Sequence, residues 1–471
     1  MKDVSHAELA GRRVTVMGLG LFGGGAGVTR YLALRGARVT VTDLRSAADL
    51  APALREIAGL DVGLALGGHR VEDFAGADLV VANPAVPPDN TFLAAARAAG
   101  VEVTSEIALF LELCPSRIAA VTGTQGKSST CFTLAQLLES CGQTVHLGGN
   151  IGGSLLESAA AMQPDDVVVL EISSYQLEAL PEGIANRSQR PRVEVVAVTN
   201  VLADHLERHG SADAYAAAKR RILELADART GTAVLPGEDP RMAAWNRDGL
   251  KRVDVFPTRR SDVGLNFDAG RFRLDREGLG RVADLRLPGA FQRENTLVSL
   301  GMARILGVEA RQLADAVAKL RALPHRLEDL GVRRGHRVWD NGVSTTPDST
   351  ISALASIEPG CTLLVGGKAK NLPLDELVDS VRRHVRRVIA FGAAAQAFGD
   401  AFRRAGVETW TADALERAVA IAFERMEPGA ELLFSPACAS FDAYLNFRER
   451  ALAFRRALPE LDAQSATGAA R

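Results

Sequence analysis

The chain has 471 residues, 47% of them hydrophobic and 24% charged, with a formal net charge of -2. That balance suits about three domains with true cores and leaves no basic surface for nucleic acid. The five cysteines (Cys114, Cys131, Cys141, Cys361, Cys438) form no C-x-x-C pair, which excludes a disulfide framework and implies a reducing compartment. The opening MKDVSHAELAGRRV lacks the apolar core of a signal peptide, and no apolar run approaches the length of a membrane span. A cytoplasmic chain without membrane contact is expected.

The first predicted strand, Val14 to Met17, runs into Gly18-x-Gly20-x-x-Gly23, then a helix, then a strand ending at Thr42-Asp43. This is the layout of a dinucleotide-binding βαβ unit, although a diphosphate-linked sugar suits the same turn. A further strand, Asp78 to Ala82, ends in NPAVPPDN, which reads either as a ligand loop or as a turn set by its prolines. Loops at the carboxyl ends of parallel strands hold ligands in α/β folds. Gly18, Gly20, Leu21, Phe22, Thr42, Asp43, Asn83 and Pro84 are the candidate contacts there.

The next strand, SRIAAV, enters VTGTQGKSST, and the helix-like CFTLAQLLES leaves it. Strand, glycine turn and helix bring unpaired N–H groups and the positive end of the helix dipole to one point, where a phosphate binds. Gly123 and Gly126 let the backbone approach the anion, with Thr124, Gln125 and Ser129 alongside. Lys127 can reach a terminal phosphate and the Ser128 hydroxyl can ligate Mg²⁺. The spacing is one residue short of the usual G-x-x-x-x-G-K-[ST] loop. Two more apolar strands, VVVLEI and VEVVAVTN, lead to Glu171 and to Asp204-His205. A carboxylate at the end of a buried strand must coordinate a cation or meet an Arg or Lys. His205 reads either as a metal ligand or as a histidine at a helix start. Lys219, in AYAAAKRRI, reads as an exposed helix lysine.

The last third carries LPHRLE, VWDNGVSTTPDST, TLLVGGKAK and SPACASFDAYLNFRER. A helix is expected from near Asp442, with Ser440 and Asp442 as possible caps. The three α/β blocks are placed at residues 1–113, 114–321 and 322–471.

Taken together and in order, GTQGKSST, GGNIGG, LEISSYQLE, NVLADHLERHGSADAYAAAKRRI, LPHRLE, STTPDST, GGKAK and SPACASFDAYLNFRER resemble the Mur ligase superfamily across nearly the whole chain. SSYQLE and SPACASFDAYLNF are closest to its D-glutamate-adding branch. The resemblance implies a three-domain α/β architecture: a Rossmann-like UDP-sugar domain, a central P-loop ATPase and a Rossmann-like C-terminal domain. It implies a monomeric, ATP-dependent amide ligase acting on UDP-N-acetylmuramoyl-L-alanine and glutamate. Lys127, Glu171, His205 and Lys219 would be catalytic. Ser128, Glu171 and His205 would hold magnesium, with Lys219 carbamylated as a further ligand.

The same resemblance gives Asn295, Arg326, Asp340 and Asn341 to the nucleotide, and Asn150, Ser173, Ser174 and Gln176 to the UDP-substrate. Thr345, Lys370, Ser440, Phe441 and Phe447 would frame the incoming glutamate. Departures cluster on nucleotide handling: Gln125 replaces an Asn, Phe291-Gln292 a His-Asn, and Asp340-Asn341 an Asn-Asp. Three readings share the scaffold: this ligase, one that uses L-glutamate, and a non-catalytic UDP-sugar or nucleotide binder. A nicotinamide oxidoreductase has only the first glycine turn and Asp43 in its favour.

Overall fold

The structure, a computed structural model, describes residues 9–21, 23–181, 183–184, 191–258, 261–369 and 373–462. Its first sheet contains β1 (Arg13–Met17), β2 (Arg38–Asp43), β3 (Val62–Leu66), β4 (Leu79–Ala82) and β5 (Glu102–Thr104), in the order β3-β2-β1-β4-β5. All neighbours are parallel. The chain winds one way from β1 to β3 and the other way from β4, so a crevice opens at the carboxyl ends of β1 and β4.

The second sheet is built from β6 (Arg117–Thr122), β7 (Val145–Gly149), β8 (Val167–Glu171), β9 (Arg192–Val198), β10 (Thr232–Pro236), β11 (Lys251–Phe256), β12 (Leu265–Asp268), β13 (Arg271–Leu274) and β14 (Glu277–Arg281). The order is β14-β13-β12-β11-β10-β9-β6-β8-β7. Every residue of β8 is buried, as its unbroken VVVLE run requires of a strand covered on both faces. The antiparallel β12–β14 ribbon at the edge had no counterpart in the sequence reading.

The third sheet comprises β15 (Glu328–Arg333), β16 (His336–Asp340), β17 (Cys361–Gly366), β18 (Val385–Phe391), β19 (Glu408–Ala412) and β20 (Leu432–Phe434). Its order is β15-β16-β20-β17-β18-β19, parallel except at β15.

The three sheets fall into two compact units, the first two sheets in one and the third in the other. One comprises residues 1–285 with 294–319, the other 286–293 with 320–471. The helix Glu106–Leu113 contributes to a core shared by the first two sheets. Residues 107 to 113 of it are all buried. Ile107, Leu109, Phe110 and Leu111 belong to one apolar cluster that includes Val14 and Val39 of the first sheet and Ile118 and Val168 of the second.

The last helix also starts later than expected, at Phe447. Asn446 adopts extended backbone there and its side chain accepts from the Glu449 N–H, a stronger stop-and-start signal than Ser440 or Asp442. Among the described residues, no helix is long and apolar enough to cross a membrane.

Candidate active site

The phosphate loop joins β6 to the helix Lys127–Ser140. Gly126 caps that helix in left-handed backbone, φ 83°, which an L side chain resists. A Cβ on Gly126 would lie 2.5 Å from Asn295 Oδ1, and one on Gly123 would lie 1.8 Å from Thr199 Oγ1. Both glycines are therefore required by space as well as by conformation. The segment after β9 forms the loop's other wall. Asn200 Oδ1 accepts from the Gln125 N–H at 2.9 Å, and Thr199 Oγ1 donates to Gln125 O at 2.6 Å. Gln125 thus keeps its main chain pinned while its residue stays exposed. Lys127 Nζ folds back to donate to Thr124 O at 2.9 Å. Ser128 is half-buried and Ser129 buried in the first turn of the helix.

Glu171 ends β8, the strand beside β6, and is 1% exposed. One carboxylate oxygen accepts from Asn150 Nδ2 at 2.8 Å; the other is buried with no hydrogen-bond partner. An orphaned carboxylate oxygen in a dry position is costly, and a divalent cation would satisfy it.

Lys219, expected on an exposed helix face, is 1% exposed. Its Nζ donates to Gly123 O at 2.6 Å and lies 4.4 Å from the centroid of the Tyr215 ring. Burial, and then the neighbouring Lys127, lower its pKa to about 7, against the opposing pull of Asp204 and Glu171. Tyr215 went unnoticed in the sequence, yet its hydroxyl meets Thr124 Oγ1 at 3.2 Å. Nothing in AYAAAK distinguishes this tyrosine from an ordinary amphipathic-helix residue.

His205 occupies the cap before the helix Leu206–His209, with φ 51° and a side chain 46% exposed. Its Nδ1 meets the Tyr175 hydroxyl at 3.4 Å and its Nε2 faces Asp204 at 3.6 Å. The phosphate loop, Glu171, His205 and Lys219 all lie at carboxyl ends of strands in the second sheet or on the segment following β9. A cleft of about 550 Å³ continues from the loop, lined by Thr199, Asn200, Pro236, Glu238, Arg241 and Asn295. A larger one of about 600 Å³ lies at the amino ends of β1 and β2, lined by Arg13 and Arg38, away from every site residue.

Residues 121–303 match the model of the Mur ligase middle domain, and residues 12–105 that of the Mur ligase MurD-like N-terminal domain. The chain is 38% identical over 462 residues to UDP-N-acetylmuramoylalanine–D-glutamate ligase of Geobacter metallireducens, covering 96% of this chain and 98% of that one. To the Roseiflexus protein of the same name it is 36% identical over 467 residues, covering 95% and 98%. The chain belongs to the Mur ligase family. Solved Mur ligases share the fold. UDP-N-acetylmuramate–alanine ligase of Thermotoga maritima superposes with a TM-score of 0.60 at 17% identity, covering 94% of this chain and 98% of that one. The MurF ligase of the same organism, solved with ADP, gives 0.56 at 18%, covering 96% and 95%.

In this Mur ligase the first-sheet crevice is lined by strand ends. The Gly20 N–H donates to Asp43 Oδ2 at 3.2 Å and Asn83 Nδ2 donates to Gly18 O at 3.3 Å. Pro84 follows Asn83 in the turn, Leu21 is 44% exposed, and the Thr42 hydroxyl is within 2.6 Å of His69 Nδ1. Phe22 and Lys370 lie outside the described residues.

Several residues expected at ligand contacts also hold the framework. Ser173 and Gln176 form a capping box on the helix Ser174–Glu178, and Ser174 Oγ meets His209 Nε2 at 3.1 Å. Asn295 holds Thr130 Oγ1 at 3.4 Å, leaving its buried Nδ2 without a partner. Asp340 is wholly buried and both its oxygens are engaged. Oδ2 meets His325 Nδ1 at 2.7 Å and accepts from Arg455 Nε at 2.8 Å; Oδ1 accepts from the Gly342 N–H at 2.9 Å. Asn341 is likewise spent, on the Leu327 N–H and on Ser435 Oγ. His325, Glu328 and Asp340 have ligand atoms close enough for a cation, but Arg455 pairs with both carboxylates and makes the group an ionic network.

Three adjacent strands of the third sheet, β16, β20 and β17, send their loops to the same end. Thr345 follows β16, while Ser440, Phe441 and Phe447 follow β20; Ser440 is 2% exposed and Phe441 68%. Phe447 is 36% exposed at its helix start, and Arg326 is half-buried between the left-handed His325 and Leu327. Arg450 fastens the loops. It is fully buried, with Nη1 donating to Cys438 O at 2.9 Å and Ala439 O at 3.1 Å, and Nη2 to Ser344 O at 3.3 Å. Burial lowers its pKa to about 10. No local motif in FRERALAF announces this role.

Proposed function

We propose that this chain is the ATP-dependent ligase that joins D-glutamate to UDP-N-acetylmuramoyl-L-alanine in peptidoglycan precursor synthesis. The observation that carries the reading is the placement of the phosphate loop beside a buried carboxylate with an orphaned oxygen and a buried, easily neutralised lysine. Relatives named for that reaction, matched over nearly their full lengths, support it.

A carboxylate does not condense with an amine at neutral pH until one oxygen becomes a leaving group. The terminal carboxylate of the UDP-substrate attacks the γ-phosphorus of ATP, releasing ADP and leaving an acyl phosphate. The amino group of D-glutamate then adds to the acyl carbon, and the tetrahedral intermediate expels phosphate to form the amide. Positioning and charge neutralisation dominate phosphoryl transfer. The loop N–H groups and Lys127 hold the triphosphate. The cleft bounded by Asn200, Arg241 and Asn295 takes the nucleoside. The first-sheet crevice takes the diphosphate-linked sugar, and the third-sheet loops around Thr345 and Ser440 take glutamate.

Ser128, Glu171 and His205 offer the hydroxyl, carboxylate and imidazole that fit Mg²⁺, which when bound neutralises phosphate charge. Neutral Lys219 can add to CO₂, losing a proton to give a carbamate whose two oxygens suit a second such ion. Phosphate release from Mg·ATP with UDP-N-acetylmuramoyl-L-alanine tests the reading. Turnover with D-glutamate and not L-glutamate is expected; release with neither, from folded protein, would overturn it.

A further inference from the structure

One side chain bridges the first two sheets and has no part in the roles above. Arg208 lies on the helix Leu206–His209, three residues beyond His205, and is only 10% exposed. Its Nε and Nη2 both donate to Glu178 Oε2, at 3.0 and 2.9 Å. Nη1 donates to Ala85 O at 3.0 Å, and Nη2 reaches Val86 O at 3.1 Å and Pro84 O at 3.4 Å. The guanidinium carbon sits 5.0 Å from the centroid of the Tyr175 ring, whose hydroxyl meets His205 Nδ1.

The carbonyls that Arg208 gathers belong to the turn after β4. Asn83 anchors that turn, accepting from the Ala85 N–H at 3.0 Å and donating to Gly18 O in the first glycine turn. A continuous set of contacts thus runs from Gly18 through Asn83 and the 84–86 carbonyls to Arg208, and on through Tyr175 to His205. The helix bearing Arg208 has no aliphatic anchor, since Leu206 is 44% exposed, whereas the side chain of His209 is 1% exposed and packs against the Tyr175 and Tyr215 rings. Its position, and with it the left-handed backbone of His205, depends on side-chain anchors at Arg208 and His209. His209 grips Ser174 and Glu178 within the second sheet's own connections. Arg208 alone of the two crosses to the first sheet, and the planar five-donor fork suits a cluster of carbonyls plus one carboxylate.

We propose that Arg208 is a positioning residue that couples the UDP-sugar loop at residues 83–86 to His205. Filling of the first-sheet crevice then orders the imidazole for the metal-bound triphosphate. This rests on the ligase reading above, with His205 as a metal ligand.

The test is calorimetric binding of Mg²⁺ with a non-hydrolysable ATP analogue, measured with and without UDP-N-acetylmuramoyl-L-alanine. In the unaltered protein the UDP-substrate should tighten nucleotide binding at least about fivefold, the lower end of usual couplings between sites. Arg208→Lys keeps the charge and loses the fork. It should bring that ratio to within about twofold of unity and raise the Mg²⁺ needed for half-maximal turnover by about 10–100-fold, as loss of a ligand-orienting partner does. Nucleotide affinity without UDP-substrate should stay unchanged, which a general loss of structure would not allow. Glu178→Gln, which leaves the carbonyl contacts in place, should shift both readouts in the same direction by less, and it decides the matter if Arg208→Lys fails to fold. A folded Arg208→Lys protein with the original ratio and Mg²⁺ requirement would overturn the proposal, as would an unaltered protein that shows no coupling. Failure of the unaltered protein to bind the UDP-substrate at all is a different result, and would overturn the ligase reading along with this one.

Discussion

Lys219 shows how far a residue's chemistry departs from its local sequence. A lysine charged in the unfolded chain up to about pH 10.4 sheds its proton in the folded protein near pH 7, because burial and Lys127 disfavour the ammonium. Between those values the unfolded state binds more protons, so stability rises with pH. Below about pH 7 both states are protonated and the full penalty of the buried ammonium is present. Lys219→Met should therefore stabilise the protein, more at pH 6 than at pH 9, as urea unfolding at the two pH values will show. The same substitution should lower turnover by about 10²–10³-fold, the usual loss when one charge-stabilising group is removed. If instead the gain in stability were equal at both pH values, the depressed pKa would be wrong.

At the scale of elements, the phosphate loop depends on two glycines packed against Thr199, just after β9, and Asn295, on the helix Ala290–Ile305. Gly126→Ala places a methyl 2.5 Å from Asn295 Oδ1 in a backbone with φ 83°. The left-handed penalty alone is about 1–2 kcal/mol, and the displaced Asn295 should weaken nucleotide binding further. A thermal midpoint lowered in step with a raised KM for ATP is expected; an unchanged midpoint would show that the loop relaxes freely. This loop was legible in the sequence because its chemistry is local: glycines, lysine and serine at a strand-to-helix junction specify one another within ten residues. Glu171 was legible for a related reason, since a carboxylate ending an all-apolar strand has few acceptable fates. Ser173 and Gln176 show the opposite case. Their spacing fits a capping box as well as a ligand loop, and the paired bonds to the helix start form that cap. Asp340 and Arg455 were opaque because they pair across 115 residues, and Arg450 because its carbonyl partners lie on separate loops, before and after β17.

At the scale of the whole molecule, the α/β class was readable from alternating strands and helices, but the core shared by the first two sheets was not. The first two sheets share a core to which the helix Glu106–Leu113 contributes Ile107, Leu109, Phe110 and Leu111, all in one cluster with residues of both sheets. Phe110, 1% exposed within that cluster, is the natural place to test the sharing. Phe110→Ala should cost about 3–5 kcal/mol, the range for deleting a buried aromatic ring. The loss should fall on both sheets together: amides of β1, β2 and β4 and those of β6, β8 and β9 should lose hydrogen-exchange protection by similar factors. Loss confined to either set would mean that the two sheets open independently and that the shared cluster does not bind them into one cooperative unit. The coupling assigned to Arg208 needs that unit, since contacts between residues 83–86 and His205 transmit position only if the frames carrying them do not slip.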